Sequence, residues 1–179
     1  MSDALVVGKK APTLKAQPLF GLPVETATGR PMVVLFLRDL AGSTTRATVN
    51  HVHAAIGRFE AAAIPIVALT RTPLADARDF VPRHHLLFPV IVDESGEHFA
   101  AWQVGRDAWF SGTLRHLKPS QVRAVVGSLS NGRGLPRAPF DQLPAFFAIK
   151  ADGTLAYARY ADSVVEQPDL DAIWAALAE

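Results

Sequence analysis

Met32 to Leu37 is an unbroken run of six apolar residues, Met-Val-Val-Leu-Phe-Leu. A strand with one wet face alternates apolar and polar residues, so an unbroken run fits a strand covered on both faces. The run passes through Arg38-Asp39-Leu40-Ala41-Gly42-Ser43 into a helix predicted over Thr44 to Ala63, with Val49, Val52, Ile56 and Phe59 on one face. A doubly covered strand followed at once by an amphipathic helix is the building unit of a layered α/β sheet.

The rest of the chain continues the alternation. Ile64 to Leu69 reads as a second buried strand. A helix follows from Pro73 through Phe80, limited by Pro82. Phe88 to Val92 is a third strand, ended by Asp93-Glu94-Ser95-Gly96, and Glu97 to Val104 is a short helix. Ala145 to Lys150 and Thr154 to Tyr160 flank Ala151-Asp152-Gly153, a hairpin signal. Pro168 opens a terminal helix with Leu170, Ile173, Trp174 and Leu177 on one side. Near the N-terminus, Pro12 to Phe20 and Leu22 to Thr28, split by Gly21, read as a short hairpin. The pattern weakens from Gly105 to Phe140, where Lys118 to Leu129 carries a helical apolar face and Asn131 to Pro136 reads as a loop. The expectation is one α/β domain over residues 1–179, with a mainly parallel sheet and an insertion at about 105–140.

Charge and composition narrow the function classes. Eighteen basic and 17 acidic residues leave a formal net charge of +1, which gives no footprint for nucleic acid or a membrane surface. No apolar run approaches the roughly 20 residues of a membrane span. Met1-Ser2-Asp3-Ala4-Leu5 lacks the features of a signal peptide, so a cytoplasmic protein is expected. The chain has no cysteine, which excludes disulfides and thiolate metal sites.

Four segments carry a resemblance to a known family: Val7-Gly8-Lys9-Lys10-Ala11-Pro12, Val33 to Arg38, Leu143 to Ile149, and Lys150 to Leu155. In order and spacing they resemble the peroxiredoxin-like branch of the thioredoxin fold, the alkyl hydroperoxide reductase and thiol-specific antioxidant family. The middle insertion and Asp141-Gln142-Leu143-Pro144 are similar to a subgroup that includes the prostamide/prostaglandin F synthases. The resemblance implies a central, mostly parallel mixed sheet flanked by helices. It also implies a cis bond before Pro144, with that proline lying against the start of the first long helix. The subgroup's turn reads Cys-x-x-Cys before a basic residue. Gly42 and Thr45 stand at those two positions, between Arg38 and Arg46. A threonine hydroxyl is essentially un-ionised near neutral pH and forms no sulfenic acid, so the family's peroxidase chemistry is expected to be absent. Members of the family commonly form dimers, and a homodimer is an outcome the resemblance allows.

The candidate ligand-binding residues are therefore Arg38, Ser43, Thr44, Thr45, Arg46, Leu143 and Pro144. Ser43, Thr44 and Thr45 read as a hydroxyl cap on the helix. The same groups, with helix N–H donors, suit a small anionic or oxygen-rich ligand. The two arginines read as solvated or as partners of that ligand. No cofactor and no metal is assigned. His51 and His53 do not share a helical face, and His84 and His85 are adjacent. The tryptophans read as core or interface packing, and Trp109-Phe110 as an exposed edge for a ligand or partner. The functional expectation is a small-ligand-binding or regulatory module without thiol chemistry. Two alternatives stand beside it: an enzyme recruited to non-thiol, biosynthetic chemistry, and an antioxidant oxidoreductase whose cysteine or selenocysteine was replaced.

Overall fold

The computed structural model describes residues 4–26, 28–105, 139 and 142–178, without the side chain of Ser43. In chain order the elements are β1 (Lys15–Ala16), β2 (Val24–Glu25), β3 (Met32–Leu37), α1 (Ser43–Ala61), β4 (Ile66–Thr70), α2 (Leu74–Arg83), β5 (Val90–Val92), α3 (Glu97–Ala101), β6 (Ala145–Ile149), β7 (Leu155–Tyr160) and α4 (Leu170–Ala178). Most of the insertion expected at 105–140 lies outside the described residues. So do the helix at Lys118 to Leu129, the loop at Asn131 to Pro136, and Trp109-Phe110.

β3 is central because both of its faces are apolar. The sheet order is β5-β4-β3-β6-β7. Val33, Leu35 and Leu37 join a core with Val49, Val52, Ile56 and Phe59 of α1 and with Leu170 and Ile173 of α4. Met32, Val34 and Phe36 join a second core with Phe99, Trp102 and Phe147. Phe36 is fully buried, with ring centroids of Phe99, Trp102 and Phe147 at 4.9, 5.5 and 5.7 Å. Full burial of one such side chain contributes about 1.5–3 kcal/mol, so the six residues of β3 anchor both layers. Trp102 and Trp174 pack as expected, the latter edge-on to Phe59 at 5.3 Å.

The sheet is mixed and mostly parallel, as expected: β5, β4, β3 and β7 run one way and β6 the other. β3–β4 and β4–β5 are parallel, whereas β3–β6 and β6–β7 are antiparallel. The Ala151-Asp152-Gly153 hairpin forces the last reversal. Gly153 takes φ +85°, and the Asp152 carboxylate accepts the Thr154 N–H at 2.8 Å. That bond and the Thr154 hydroxyl hold the Asp152 carboxyl below its usual pKa. The N-terminal hairpin is present but has only two residue pairs, Lys15–Glu25 and Ala16–Val24. Pro82 does not end α2, which runs on to Arg83. A proline in the last turn loses one N–H bond, and the His84 and His85 N–H groups still close that turn on Phe80 and Pro82.

His51 and His53 on α1 each hold a neighbouring segment. His51 Nε2 lies 3.1 Å from the Pro168 carbonyl ahead of α4. His53 Nε2 accepts the Leu87 N–H at 3.2 Å, and its ring lies 5.7 Å from that of Phe88. Burial lowers the His53 pKa below the usual histidine value of 6.5. The unfolded chain therefore takes up a proton first as pH falls. Stability from this contact is complete above about pH 6.5 and declines as pH drops from there through the lowered folded value. Urea midpoints measured from pH 7.5 to pH 5 should show this decline, and His53→Gln should flatten it. Equal slopes for the two proteins would remove His53 as the cause.

Candidate functional site at the start of α1

The turn after β3 is built around a buried ion pair. Arg38 Nε donates to Asp39 Oδ2 at 2.6 Å, and the two side chains are only 4% and 3% exposed. Asp39 Oδ1 accepts the Gly42 N–H at 2.5 Å. This corrects the reading of Arg38 as a solvated side chain. A charged side chain is buried when a partner neutralises it, and the partner here is the next residue. Asp39 is the site residue that sequence reasoning missed. The available signal was an aspartate three residues before a glycine, at a strand end where short polar side chains tie turns.

The helix N-cap is Gly42, at φ −66° and ψ 145°. This replaces the expected hydroxyl cap: Ser43, Thr44 and Thr45 are the first three helical residues. The Ser43 side chain lies outside the described residues. Thr45 is buried, while Thr44 and Arg46 are half-buried. The Arg46 N–H makes the first helical bond, to the Gly42 carbonyl at 3.1 Å. Helix geometry leaves the N–H groups of residues 43–45 without an intrahelical acceptor, at the positive end of the α1 dipole. At Gly42 a Cβ would stand 3.1 Å from Arg38 Nη2 and 3.1 and 3.3 Å from the Asp39 carboxylate oxygens. A side chain there, a cysteine included, requires the ion pair to give by a few tenths of an ångström.

Two further segments border the turn. At the end of β4, the Arg71 N–H donates to the Arg38 carbonyl at 3.4 Å, and Thr72 Oγ1 accepts the Leu40 N–H at 2.8 Å. Thr72 Oγ1 also lies 3.0 Å from Thr70 Oγ1. On the other side, β6 pairs Ala145 with Phe36, so the register continued by one and two residues sets Pro144 across from Leu37 and Leu143 across from Arg38. The fold thus gathers Arg38, Thr44, Thr45, Leu143 and Pro144 around the C-terminal end of β3.

The Leu143–Pro144 bond is trans, against expectation, since no peptide bond among the described residues is cis. Trans is favoured intrinsically by about 0.5–1 kcal/mol before proline. Here the extended approach also satisfies both flanking groups. The Leu143 N–H donates to the Gly105 carbonyl at 3.2 Å, and the Pro144 carbonyl accepts the Ala161 N–H at 3.1 Å. Gln142 secures the same approach by donating from Nε2 to the Gly105 carbonyl at 2.8 Å.

Carboxylates of the chain itself meet the starts of the other described helices. Glu94 accepts the Leu74 N–H of α2 at 2.7 Å, and Asp169 accepts the Ala172 N–H of α4 at 2.9 Å. Asp93, which is buried, accepts four N–H groups of residues 96–99 at 2.9–3.1 Å around α3. At α1, Asp39 accepts the N–H of the cap residue, Gly42. The turn can donate hydrogen bonds to an oxygen-bearing group. It offers no thiol, and its nearest described carboxylate is held on both oxygens.

A β3–α1–β4–α2–β5 unit joined antiparallel to a β6–β7 hairpin, with the Gly42 turn between β3 and α1, defines a thioredoxin-like fold of peroxiredoxin type. The chain belongs to the AhpC/TSA family, whose pattern matches residues 7–158. Similar solved structures include a peroxiredoxin-like protein from Aquifex aeolicus, with a TM-score of 0.67 at 16% identity, covering 98% of this chain and 88% of that one. Peroxidoxin BcpB from Mycobacterium tuberculosis matches with a TM-score of 0.66 at 15% identity, covering 96% of each chain. Bacterioferritin comigratory protein from Xanthomonas campestris matches at 0.64 and 16%, covering 92% and 90%. At these identities the likeness is one of fold. No curated protein sequence matches the chain. Among the described residues, no helix is long and apolar enough to cross a membrane.

Proposed function

We propose that this protein is a small-ligand-binding or regulatory member of its family that performs no thiol peroxidase chemistry. The ligand is small and oxygen-rich, and it sits at the Gly42–Arg46 turn beside Leu143 and Pro144. The observation that carries this reading is the rebuilt turn. The buried Arg38–Asp39 pair closes against Gly42, at the first of the family's redox positions, and a buried threonine stands at the second. Donors remain there, and the nucleophile does not.

Two measurements on one preparation test it. The metal-free protein should consume neither hydrogen peroxide nor an organic hydroperoxide with dithiothreitol or thioredoxin as reductant, and saturable turnover above the protein-free control would overturn the reading. Thr45→Val keeps the volume and removes the hydroxyl. In calorimetric titrations with ligands found by screening, affinity should fall by about 0.5–1.5 kcal/mol, the net worth of one hydrogen bond. An unchanged affinity with lowered stability would assign Thr45 to the fold alone.

A further inference from the structure

We propose that Arg71 is the anion-recognising residue of this site, and that the ligand it takes carries an oxyanion, a carboxylate or a phosphate. This rests on the reading that the α1 turn holds a small ligand, and it names that ligand's chemical class. Arg71 was not among the residues singled out from the sequence.

Three observations lead to it. The first is position. β3 pairs Leu37 with Thr70, and β4 pairs Thr70 with Val92. One residue further on, Arg38, Arg71 and Asp93 stand side by side at the C-terminal ends of three parallel strands. The chain's strand order reverses at β3, with β4 and β5 on one side and β6 and β7 on the other. Open α/β sheets bind ligands in the crevice outside such strand ends.

The second is charge. Arg71 is half-buried and makes no salt bridge with any described residue, and its Nε is buried without a hydrogen-bond partner. Its contacts are neutral: Nη2 donates to the Glu94 carbonyl at 3.1 Å, Nη1 to Gln142 Oε1 at 3.4 Å, and the guanidinium stands 5.7 Å from the Phe99 ring centroid. None of the neighbouring described carboxylates forms a salt bridge with Arg71. Asp39 holds Arg38 and Gly42, Asp93 holds four backbone N–H groups, and Glu94 Oε1 holds the Leu74 N–H. A partly desolvated cation with only neutral partners is costly. An oxyanion supplies the charge-assisted, two-pronged contact that suits a guanidinium.

The third is seating. Gly96 has φ +80°, and a Cβ there would stand 2.5 Å from Arg71 Nη1. The glycine thus leaves a cradle that holds the guanidinium in one place, and a side chain fixed in advance loses less entropy on binding.

The test is a thermal-shift titration of the full chain with sodium phosphate and sodium acetate, each against sodium chloride at matched ionic strength. At least one oxyanion should raise the melting temperature beyond the chloride control. Arg71→Met should weaken that binding by about 10–100-fold, the worth of a hydrogen bond to a charged group. Arg71→Lys keeps the charge but not the fork, so it should keep only part of the effect, and it serves if the methionine variant does not fold. A response to phosphate alone identifies a phosphorylated ligand, and a response to acetate a carboxylate. Shifts no larger than chloride's, or a full shift retained in Arg71→Lys, overturn the proposal. Applied to Thr45→Val, the same titration separates the two ideas. Dependence on Arg71 without dependence on Thr45 upholds the anion site and moves it off the α1 turn, whereas the reverse keeps the turn and removes Arg71.

Discussion

Asp39→Ala lowers the stability of this protein by about 3–5 kcal/mol, the usual consequence of leaving one member of a buried ion pair alone. The wild-type carboxylate serves two donors, Arg38 Nε at 2.6 Å and the Gly42 N–H at 2.5 Å. Removing it takes the Asp39 carboxylate from a guanidinium in a side chain that is 4% exposed, and it frees the N–H that orients the helix cap. Asp39→Asn should cost nearly as much, because a neutral amide cannot balance Arg38. The double replacement Arg38→Met with Asp39→Leu should recover most of the loss, since no buried charge is left unpaired and apolar pairs of similar volume are often tolerated. Urea unfolding of the three variants checks this. A double variant as unstable as Asp39→Ala would show that the turn depends on the hydrogen-bonded pair itself rather than on charge balance.

The second large effect is at Asp93. Its buried carboxylate accepts the N–H groups of Gly96, Glu97, His98 and Phe99, and the Ser95 hydroxyl reaches Oδ1 at 3.2 Å. An ordinary helix cap is worth about 0.5–2 kcal/mol. Four donors on one charged group should exceed that range, so Asp93→Ala is expected to cost about 3 kcal/mol, with part of the loss also visible in Asp93→Asn. The damage should reach Arg71, because the 93–96 turn is the bed on which its guanidinium lies. Hydrogen exchange would locate it. Faster exchange at residues 96–99 with β3 amides unchanged is the expected pattern, and uniform acceleration would mean that the whole domain had been loosened.

These two residues illustrate what sequence conveys and what it does not. The apolar run of β3, the face of α1 and the Ala151-Asp152-Gly153 hairpin were all legible, because each depends on a period or turn within a few residues. Boundaries shifted by a residue or a few. α1 begins at Ser43, since the N-cap is Gly42 rather than a hydroxyl residue. α2 passes Pro82, since a proline near a helix end removes little. The cis expectation at Pro144 came from the family resemblance alone, and hydrogen bonds to Gly105 and Ala161 hold the trans form.

The site divides along the same line. The placement of Gly42, Thr45, Leu143 and Pro144 at the end of β3 could be read from motif order, because strand–turn–helix geometry and the β3–β6 register carry those residues there. The burial of Arg38 could not. An arginine beside an aspartate is ordinarily solvated, and only the closing of β4, β6 and α1 around the pair removes water from it. Arg71 was further out of reach. Its partners, Glu94, Gly96, Phe99 and Gln142, lie between 23 and 71 residues away in the chain. The sequence alone determined a layered α/β fold and a turn after β3 that carries no thiol, because periodicity and residue chemistry are local. Which charges are buried and which are paired were decided only by tertiary structure, because desolvation depends on segments that meet when the sheet is assembled.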